Sequence, residues 1–308
     1  MKLIIQIPCY NEAATLGITL NELPREVAGF DKVEWLIIDD GSQDDTIKVA
    51  KACGVDHTVR FTTNQGLAKG FMAGLNRALD EGADVIVNTD ADNQYNAKNI
   101  GALVEPILSK GADYVIGARP IQDIAHFPAR KKILQKLGSW LVRVASRTNI
   151  PDAPCGFRAM SKSCARQLNV FSDYTYTLET IIQAGQKHMV ITSVPISVNP
   201  DLRPSKLVKS IFNYITRSVF TILRIFVVYK PFFFFMTIGA TLFTVGLILG
   251  LRFLYYYMGG DGSGHIQSVI LSGILMGIGF QTGLIAFVAD LLSVNRQLLE
   301  TIKFRQHN

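Results

Sequence analysis

An α/β domain with a mostly parallel sheet, followed by two membrane-spanning helices, is the fold class that this 308-residue sequence predicts. Three observations carry the prediction. Short apolar runs alternate with helical patterns through residues 1–204. A polar cluster closes each of the first three runs. Between Pro231 and Ala289 only Arg252 and Asp261 are charged, in a chain that is 48% hydrophobic with a mean hydropathy of +0.23.

The runs "LIIQIP" (3–8), "VEWLIIDD" (33–40), "DVIVNTD" (84–90) and "YVIGAR" (114–119) are short and rich in Ile and Val, as buried strands are. Between the second and third, "GLAKGFMAGLNRALDEG" repeats Leu67, Phe71, Leu75, Ala78 and Leu79 at helical spacing, and Gly82 stops it. Strands alternating with helices imply crossover units and a parallel sheet, in which ligands bind beyond the carboxyl ends of the strands. "PCYNE", "DDGSQDDT" and "DADNQ" follow the first three runs, so three polar clusters converge on one edge and argue for a single site.

"PFFFFMTIGATLFTVGLILGL" and "HIQSVILSGILMGIGFQTGLIAFVA" are each long enough to span a bilayer, which takes about 20 apolar residues. The Gly-rich "MGGDGSGH" joins them as a turn between antiparallel spans would. A pair of buried core helices is the other reading, and both runs are too long for it. Lys206, Lys209, Arg217, Arg224 and Lys230 lead into the first span; Arg296, Lys303 and Arg305 follow the second. Such flanks mark the cytoplasmic side, so both termini are expected there, at the inner (plasma) membrane. In residues 205–230, Lys206, Lys209, Asn213, Arg217, Thr221 and Arg224 fall three to four apart among Leu, Val, Ile, Phe and Tyr, which describes amphipathic helices lying in the interface, a solvated face packed on the domain being the plainer reading. The expected organisation is therefore a cytoplasmic domain at 1–204, interfacial helices at 205–230, spans at about 231–257 and 266–290 within 231–292, and a cytoplasmic tail at 293–308. The net charge of +6 adjoins the spans, so anionic lipid rather than nucleic acid is the expected partner. "MKLIIQIPCYNE" has too short an apolar run for a cleavable leader. The four cysteines lack metal-ligand spacing and are expected to be reduced and structural.

The chain has neither a dinucleotide GxGxxG after its first strand nor a Gly-Lys-Ser/Thr phosphate loop. Phosphate is then to be neutralised in another way. Asp90 and Asp92, two residues apart, offer the hard oxygens that suit Mg²⁺ or Mn²⁺ shared with substrate phosphates. A polar loop ending a strand is the plainer reading of the same pair.

In order along the chain, "PCYNE", "IIDDGSQDDT", "NQGLAKGFMAGL" and "NTDADNQ" resemble the family 2 glycosyltransferases, over roughly the first 200 residues. Within that family, "DADNQY", "CGFRAM" (155–160), "RPSKL" (203–207) and the paired spans are similar to the polyprenyl-phosphate group, the dolichol-phosphate mannose synthases among them. The resemblance implies a GT-A (Rossmann-like) nucleotide-sugar-binding domain and a metal-dependent, inverting enzyme. It would move one sugar from a nucleotide-sugar, with uridine favoured over guanosine, to a polyprenyl phosphate at the cytoplasmic leaflet. It implies that Pro8, Tyr10, Glu12, Asp39 and Asp40 line the base and ribose pocket, although a turn also explains Asp40-Gly41. It implies that Asp90, Asp92 and Gln94 surround the metal and diphosphate, Asp92 taking part in catalysis, with Arg203 and Lys206 closing over the donor or touching lipid headgroups. Relatives of this shape suggest a homotetramer.

The acceptor side has its own logic. A lipid phosphate is already ionised at neutral pH, so cations that bring two anions together matter more than a general base. By analogy these are Arg119, at the end of "VIGAR", and Arg130, with Lys131 and Lys132 as competitors; a basic membrane-facing helix accounts for 130–132 equally simply. The Ser that often follows this Arg is missing, the chain reading Ile133, Leu134, Gln135. Glu179 in "YTLETI" stands where alcohol-glycosylating relatives carry a base, but Thr180 replaces their Asp, and no Gln-x-x-Arg-Trp follows. Glu179 would then orient an acceptor-binding Arg or form a buried ion pair. Transfer to a lipid alcohol such as diacylglycerol, with Glu179 as base, and a catalytically silent membrane scaffold are the competing functions.

Overall fold

The computed structural model of the chain describes residues 1–120, 148, 150–170, 176–200, 224, 227–260 and 266–306. The chain divides into two units, Met1–Ser218 and Val219–Asn308.

In the first unit, β1 (Lys2–Cys9), α1 (Ala13–Glu22), β2 (Lys32–Asp39), α2 (Thr46–Ala52), β3 (His57–Arg60), α3 (Leu67–Asp80) and β4 (Val85–Asn88) follow one another. Then come α4 (Ile100–Lys110), β5 (Tyr114–Ala118), β6 (Arg158–Ser161), α5 (Lys162–Gln167), α6 (Thr177–Gln186) and β7 (Ile191–Pro195). The four expected strands are β1, β2, β4 and β5. Their Ile and Val side chains make the core: Leu3, Ile4, Ile5, Ile7, Leu36, Ile37, Ile38, Val85, Ile86 and Val87 are all fully buried. The helix expected at "GLAKGFMAGLNRALDEG" is α3, which buries Phe71, Leu75 and Ala78. Gly74 lets it press on the sheet, since a Cβ there would stand 2.5 Å from Gln6 Oε1 and 2.8 Å from Ile38.

The sheet has seven strands in the order β3-β2-β1-β4-β6-β5-β7. It is mixed and mostly parallel, as expected from the sequence: β6 runs antiparallel to both β4 and β5, whereas every other pairing is parallel. β3, β6 and β7 are four or five residues long and carry no clear apolar run, so periodicity alone does not mark them.

The second unit is a helical hairpin, α7 (Pro231–Met258) and α8 (Ile266–Gln306). Both helices are long and apolar enough to cross a membrane, with mean hydropathies of 2.2 and 1.9 in their most apolar stretches. The helices meet through small residues. On α8, Ser272, Gly279, Ala286 and Ser293 recur every seventh position and all are buried. Opposite them lie Gly239 and Gly246 of α7, also seven apart and buried. Ser272 Oγ donates to the Gly246 carbonyl at 2.6 Å. Without a hydrophobic drive inside lipid, such close backbone approach and such hydrogen bonds hold helices together. α7 ends at Met258. α8 runs without a break through 290 to Gln306, so residues expected as a separate tail begin inside the helix. Most of the expected interfacial segment, 205–230, lies outside the described residues.

Gly279 has no room for a side chain: a Cβ would stand 2.6 Å from Phe243 N and 2.7 Å from the Gly239 carbonyl, both main-chain atoms. Gly277, two residues away, has open space. Gly279→Ala is expected to destabilise the hairpin by roughly 1–3 kcal/mol, the usual cost of overpacking. Gly277→Ala is expected to leave it unchanged or slightly stabilised. Thermal unfolding of the two variants in detergent checks the contrast.

Candidate active site

Because β2, β1 and β4 are parallel neighbours, their carboxyl ends share one edge, where Cys9 pairs with Asp39 and Gln6 with Asn88. The first two loops knit together there. Asn11 N donates to Ser42 Oγ at 2.9 Å, Gln43 N to Asn11 Oδ1 at 2.9 Å, and Glu12 N to Thr46 Oγ1 at 2.9 Å. Asp44 accepts from Ala13 N at 3.1 Å and from Thr46 N at 3.0 Å, so one carboxylate holds the first turns of both α1 and α2.

Asp39 and Asp40 do different things. Asp39 is fully buried; its Oδ1 accepts from Ser42 N at 2.9 Å. Its Oδ2 accepts no hydrogen bond; Arg60 Nε stands 3.1 Å away as an ion-pair partner, off the line of a hydrogen bond. Asp40 turns both oxygens to the main chain, accepting from Gln65 N at 2.6 Å and Gly66 N at 2.9 Å. It thereby draws the loop before α3 over the strand ends. Gly41 has φ 75°, and a Cβ would meet Thr63 C at 2.7 Å, so this position takes glycine alone. Glu12 is buried, its Oε2 accepting from Thr15 Oγ1 at 3.0 Å; Pro8 is half-buried and Tyr10 exposed.

The Asp90–Asp92 loop leaves β4 and is pinned from two sides. Thr19 of α1 donates to the Ala91 carbonyl at 3.0 Å. Asn199, beyond β7, donates its main-chain N–H to the Gln94 carbonyl at 2.9 Å and its side chain to the Asn93 carbonyl at 3.0 Å. Tyr95 bridges Val198. Asp92 Oδ1 accepts from Gln94 N at 3.2 Å, and Asn93 takes φ 57°.

Asp90 faces "CGFRAM". Antiparallel β6 starts where β4 ends, Asn88 pairing with Arg158, which delivers Gly156 to the same edge. A Cβ at Gly156 would stand 3.2 Å from both Asp90 carboxylate oxygens and from Tyr176 Oη. Gly156 N donates to Tyr95 Oη at 3.0 Å, and the Tyr95 hydroxyl bonds to Asp90. Behind them Gln6 donates to Asn88 at 2.9 Å, and Asn88 to the Gly156 carbonyl and Tyr176 Oη, each at 2.9 Å. Tyr176 stacks on Phe71 of α3 at 3.8 Å. Burial, and then the neighbouring Asp92 carboxylate, push the Asp90 carboxyl up to about 7, against the pull of Arg119, Tyr95 and Arg158.

Arg119 ends β5 at this edge, and its guanidinium is gripped bidentately by Asp152: Nε to Oδ2 at 2.7 Å and Nη2 to Oδ1 at 3.0 Å. Glu179 is buried in the first turn of α6. Arg130, Lys131, Lys132, Arg203 and Lys206 lie outside the described residues. Sequence reasoning missed Asp152, Tyr95, Asn88, Tyr176 and Arg158. Arg158 is fully buried and donates to the carbonyls of Ala153, Cys155 and Thr177 at 2.6–2.8 Å and to Tyr114 Oη and Thr180 Oγ1 at 2.6 and 2.9 Å. Asn88, Tyr95, Arg158 and Tyr176 sit inside stretches already singled out, "NTDADNQ", "DADNQY", "CGFRAM" and "YTLETI", which is the signal that pointed to them; Asp152 carried none.

Asp90 and Asp92 fit a divalent cation. Their oxygens are hard, and a bound cation would relieve the repulsion that raises Asp90. Among the described residues no group of three or more His, Cys, Asp or Glu could hold a metal, so further ligands would be water and substrate oxygens.

The model of the family described as "Glycosyl transferase family 2" matches residues 4–168. An undecaprenyl-phosphate mannosyltransferase of Micrococcus luteus is 29% identical over 67% of this chain and 88% of its own. A UDP-N-acetylglucosamine–dolichyl-phosphate N-acetylglucosaminyltransferase of Methanococcus voltae is 27% identical over 62% of this chain and 82% of its own. Among solved structures, glucosyl-3-phosphoglycerate synthase of Mycobacterium tuberculosis, in complex with Mn²⁺, UDP and glucosyl-3-phosphoglycerate, superposes with a TM-score of 0.57 at 20% identity, over 72% of this chain and 78% of that one.

The raised Asp90 carboxyl has a measurable sign. Between the free value of 3.8 and about 7 the native state keeps a proton that the unfolded chain has lost. Its contribution to stability is complete below pH 3.8 and is lost as pH rises towards 7. In EDTA, the thermal midpoint of Asp90→Asn is expected to fall less than that of the wild type between pH 5 and 8, and thermal unfolding across pH checks it.

Proposed function

The chain belongs to glycosyl transferase family 2 and has a GT-A-like fold, and from that premise we propose that it transfers one sugar from a nucleotide-sugar to a polyprenyl phosphate at a membrane. The observation that carries this reading is the Asp90–Asp92 pair at the carboxyl edge, backed by Gly156 and flanked by the Arg119–Asp152 fork. The polyprenyl acceptor is supported by the names of the Micrococcus luteus and Methanococcus voltae relatives and by the two apolar helices.

In this reading Pro8, Tyr10 and Asp39 receive the nucleoside. The buried Asp39 Oδ2, an acceptor without a donor, suits a ring N–H of a base, and uridine is the donor nucleoside we favour, in keeping with the Methanococcus voltae relative. Asp90 and Asp92, with Gln94 beside them, hold Mg²⁺ or Mn²⁺, which when bound neutralises charge on the departing diphosphate. Asp40 acts through the loop it folds. Arg119, oriented by Asp152, draws the acceptor phosphate towards the sugar, aided by Arg130 and its neighbours, while Arg203 and Lys206 close over the donor or touch lipid headgroups.

A phosphate oxygen of the acceptor then attacks the anomeric carbon. A C–O bond forms on the face opposite the leaving diphosphate, the old C–O bond breaks, and the configuration inverts. No base is required, because the acceptor is already ionised. The lysines and arginines that flank the spans support, in this reading, a cytoplasmic side for the catalytic unit and both termini.

Purified protein in detergent, with Mn²⁺ or Mg²⁺ and a polyprenyl phosphate, is to be offered a panel of UDP- and GDP-sugars. Lipid-dependent release of a nucleoside diphosphate from one donor is the expected result. Silence across the panel, together with no metal-dependent nucleotide binding, would overturn the reading. With the active donor, Asp92→Ala is expected to lose at least 100-fold in turnover, in line with the several kcal/mol that metal stabilisation of a leaving group supplies. Glu179→Gln is expected to stay near normal; its loss of turnover would point instead to an alcohol acceptor.

A further inference from the structure

Arg60 ends β3 at the edge where β2 delivers Asp39, and the two residues are partners in the parallel register. Their contact is incomplete. Asp39 is fully buried, yet its Oδ2 accepts no hydrogen bond. Arg60 Nε stands 3.1 Å from that oxygen, off the line of a hydrogen bond, and the Arg60 side chain is 62% exposed. Among the described residues its guanidinium has no other polar partner. Arg119 and Arg158 differ, since their donors are engaged by Asp152 and by main-chain carbonyls. A buried carboxylate oxygen without a donor, beside a guanidinium with unused N–H groups, is an unfavourable pairing that a ligand can complete.

We propose that Asp39 and Arg60 together read one edge of the donor's base, a ring N–H and the carbonyl beside it, and so restrict the donor to nucleotides whose base carries that edge, uracil and guanine among them. This deepens the proposed function and rests on it.

Polarity selects the base. A carboxylate only accepts hydrogen bonds, and a guanidinium only donates them. Side by side, they match an N–H that donates to Asp39 Oδ2 and a neighbouring carbonyl that accepts from Arg60. Uracil and guanine have this edge. Cytosine and adenine have its reverse, a ring nitrogen lone pair beside an amine. That edge would set lone pair against carboxylate and N–H against guanidinium. A site built to pair specific donors and acceptors rejects a base that leaves them unpaired.

The two residues divide the work by mobility. Asp39 is fixed: Ser42 N donates to its Oδ1 at 2.9 Å, and Phe61 N to its carbonyl at 2.9 Å. Arg60 is anchored at its backbone by the strand pairing, but its exposed side chain is free to swing from Oδ2 to the carbonyl as the base N–H arrives. The pair does not separate uracil from guanine, because both present the same edge to it.

Titration calorimetry of UDP, GDP, CDP and ADP tests the proposal on the full-length chain in detergent with Mn²⁺. The tightest ligand is expected to be UDP or GDP, with CDP and ADP each weaker by roughly ten-fold or more. Arg60→Ala is expected to weaken that ligand about ten-fold, the worth of a hydrogen bond to a charged group, and to leave CDP and ADP as they were. Its thermal midpoint is expected to match the wild type, since the side chain is exposed. CDP or ADP as the tightest ligand would overturn the proposal. So would an equal shift of all four in Arg60→Ala: equal weakening would mean that Arg60 serves the diphosphate, and equal tightening that it merely covers Asp39. Absence of binding by any of the four to the wild type would instead overturn the proposed function itself.

Discussion

A buried carboxylate beside a second carboxylate is an unfavourable arrangement, and much of the catalytic unit is built around keeping one in place. Asp90 sits against the Cα of Gly156, bonded by the Tyr95 hydroxyl, with Asp92 two residues on. Burial and the like charge both oppose its ionisation, so in the free protein its carboxyl is pushed up to about 7 and keeps its proton well above the usual carboxylate range. Relaxation would be the ordinary response to such repulsion. Here Thr19, Asn199 and Val198 hold the loop from α1 and from beyond β7, and the Gln6–Asn88–Tyr176 chain stiffens the floor. A buried polar network of this kind is rigid when its members are satisfied.

The antiparallel strand β6 is the topological device that makes the arrangement feasible. A parallel strand in that place would carry residues 152–158 to the opposite edge of the sheet. Reversed, β6 starts at the carboxyl edge and brings Asp152, Gly156 and Arg158 to the ends of β4 and β5. Arg158 then fastens the segment from below. Its ring-stacked and carbonyl-bonded guanidinium lies 5.6 and 5.7 Å from the Tyr176 and Tyr114 ring centres, and it ties the loop at Ala153 and Cys155 to α6 at Thr177. Asp152, so placed, fixes the fork of Arg119. The cation that faces an anionic acceptor in our reading is thereby oriented before that acceptor arrives, which lowers the ordering cost of binding.

The two faces of α8 differ. Small residues inward let α7 approach to main-chain contact; large aliphatic residues outward remain exposed. Arg296, on the side between them, lies 4.2 Å from the Tyr229 ring centre, joining α8 to the segment that leads into α7.

Much of this protein is legible from local pattern. The apolar runs of β1, β2, β4 and β5 have to be buried, the 3.6-residue period of α3 has to face them, and the two long apolar stretches have few alternatives to crossing a membrane. Alternation of those elements already placed "PCYNE", "DDGSQDDT" and "DADNQ" at one edge, because parallel neighbours end together. What composition could not convey was the part played by each side chain. Asp39 and Asp40 are adjacent and chemically identical, yet one keeps a buried oxygen without a donor while the other spends both on Gln65 and Gly66. Asp152 had no motif of its own, and Arg119 looked like a free cation until its partner arrived from a distant loop. β3, β6 and β7 are short strands whose stability comes from neighbours rather than from their own residues. Sequence by itself determined which segments must be buried and which polar clusters share an edge, since burial and strand direction follow from local chemistry. Only the tertiary structure decided which carboxylate is paired, which is exposed to its like, and which strand is reversed, because those depend on contacts between residues far apart in the chain.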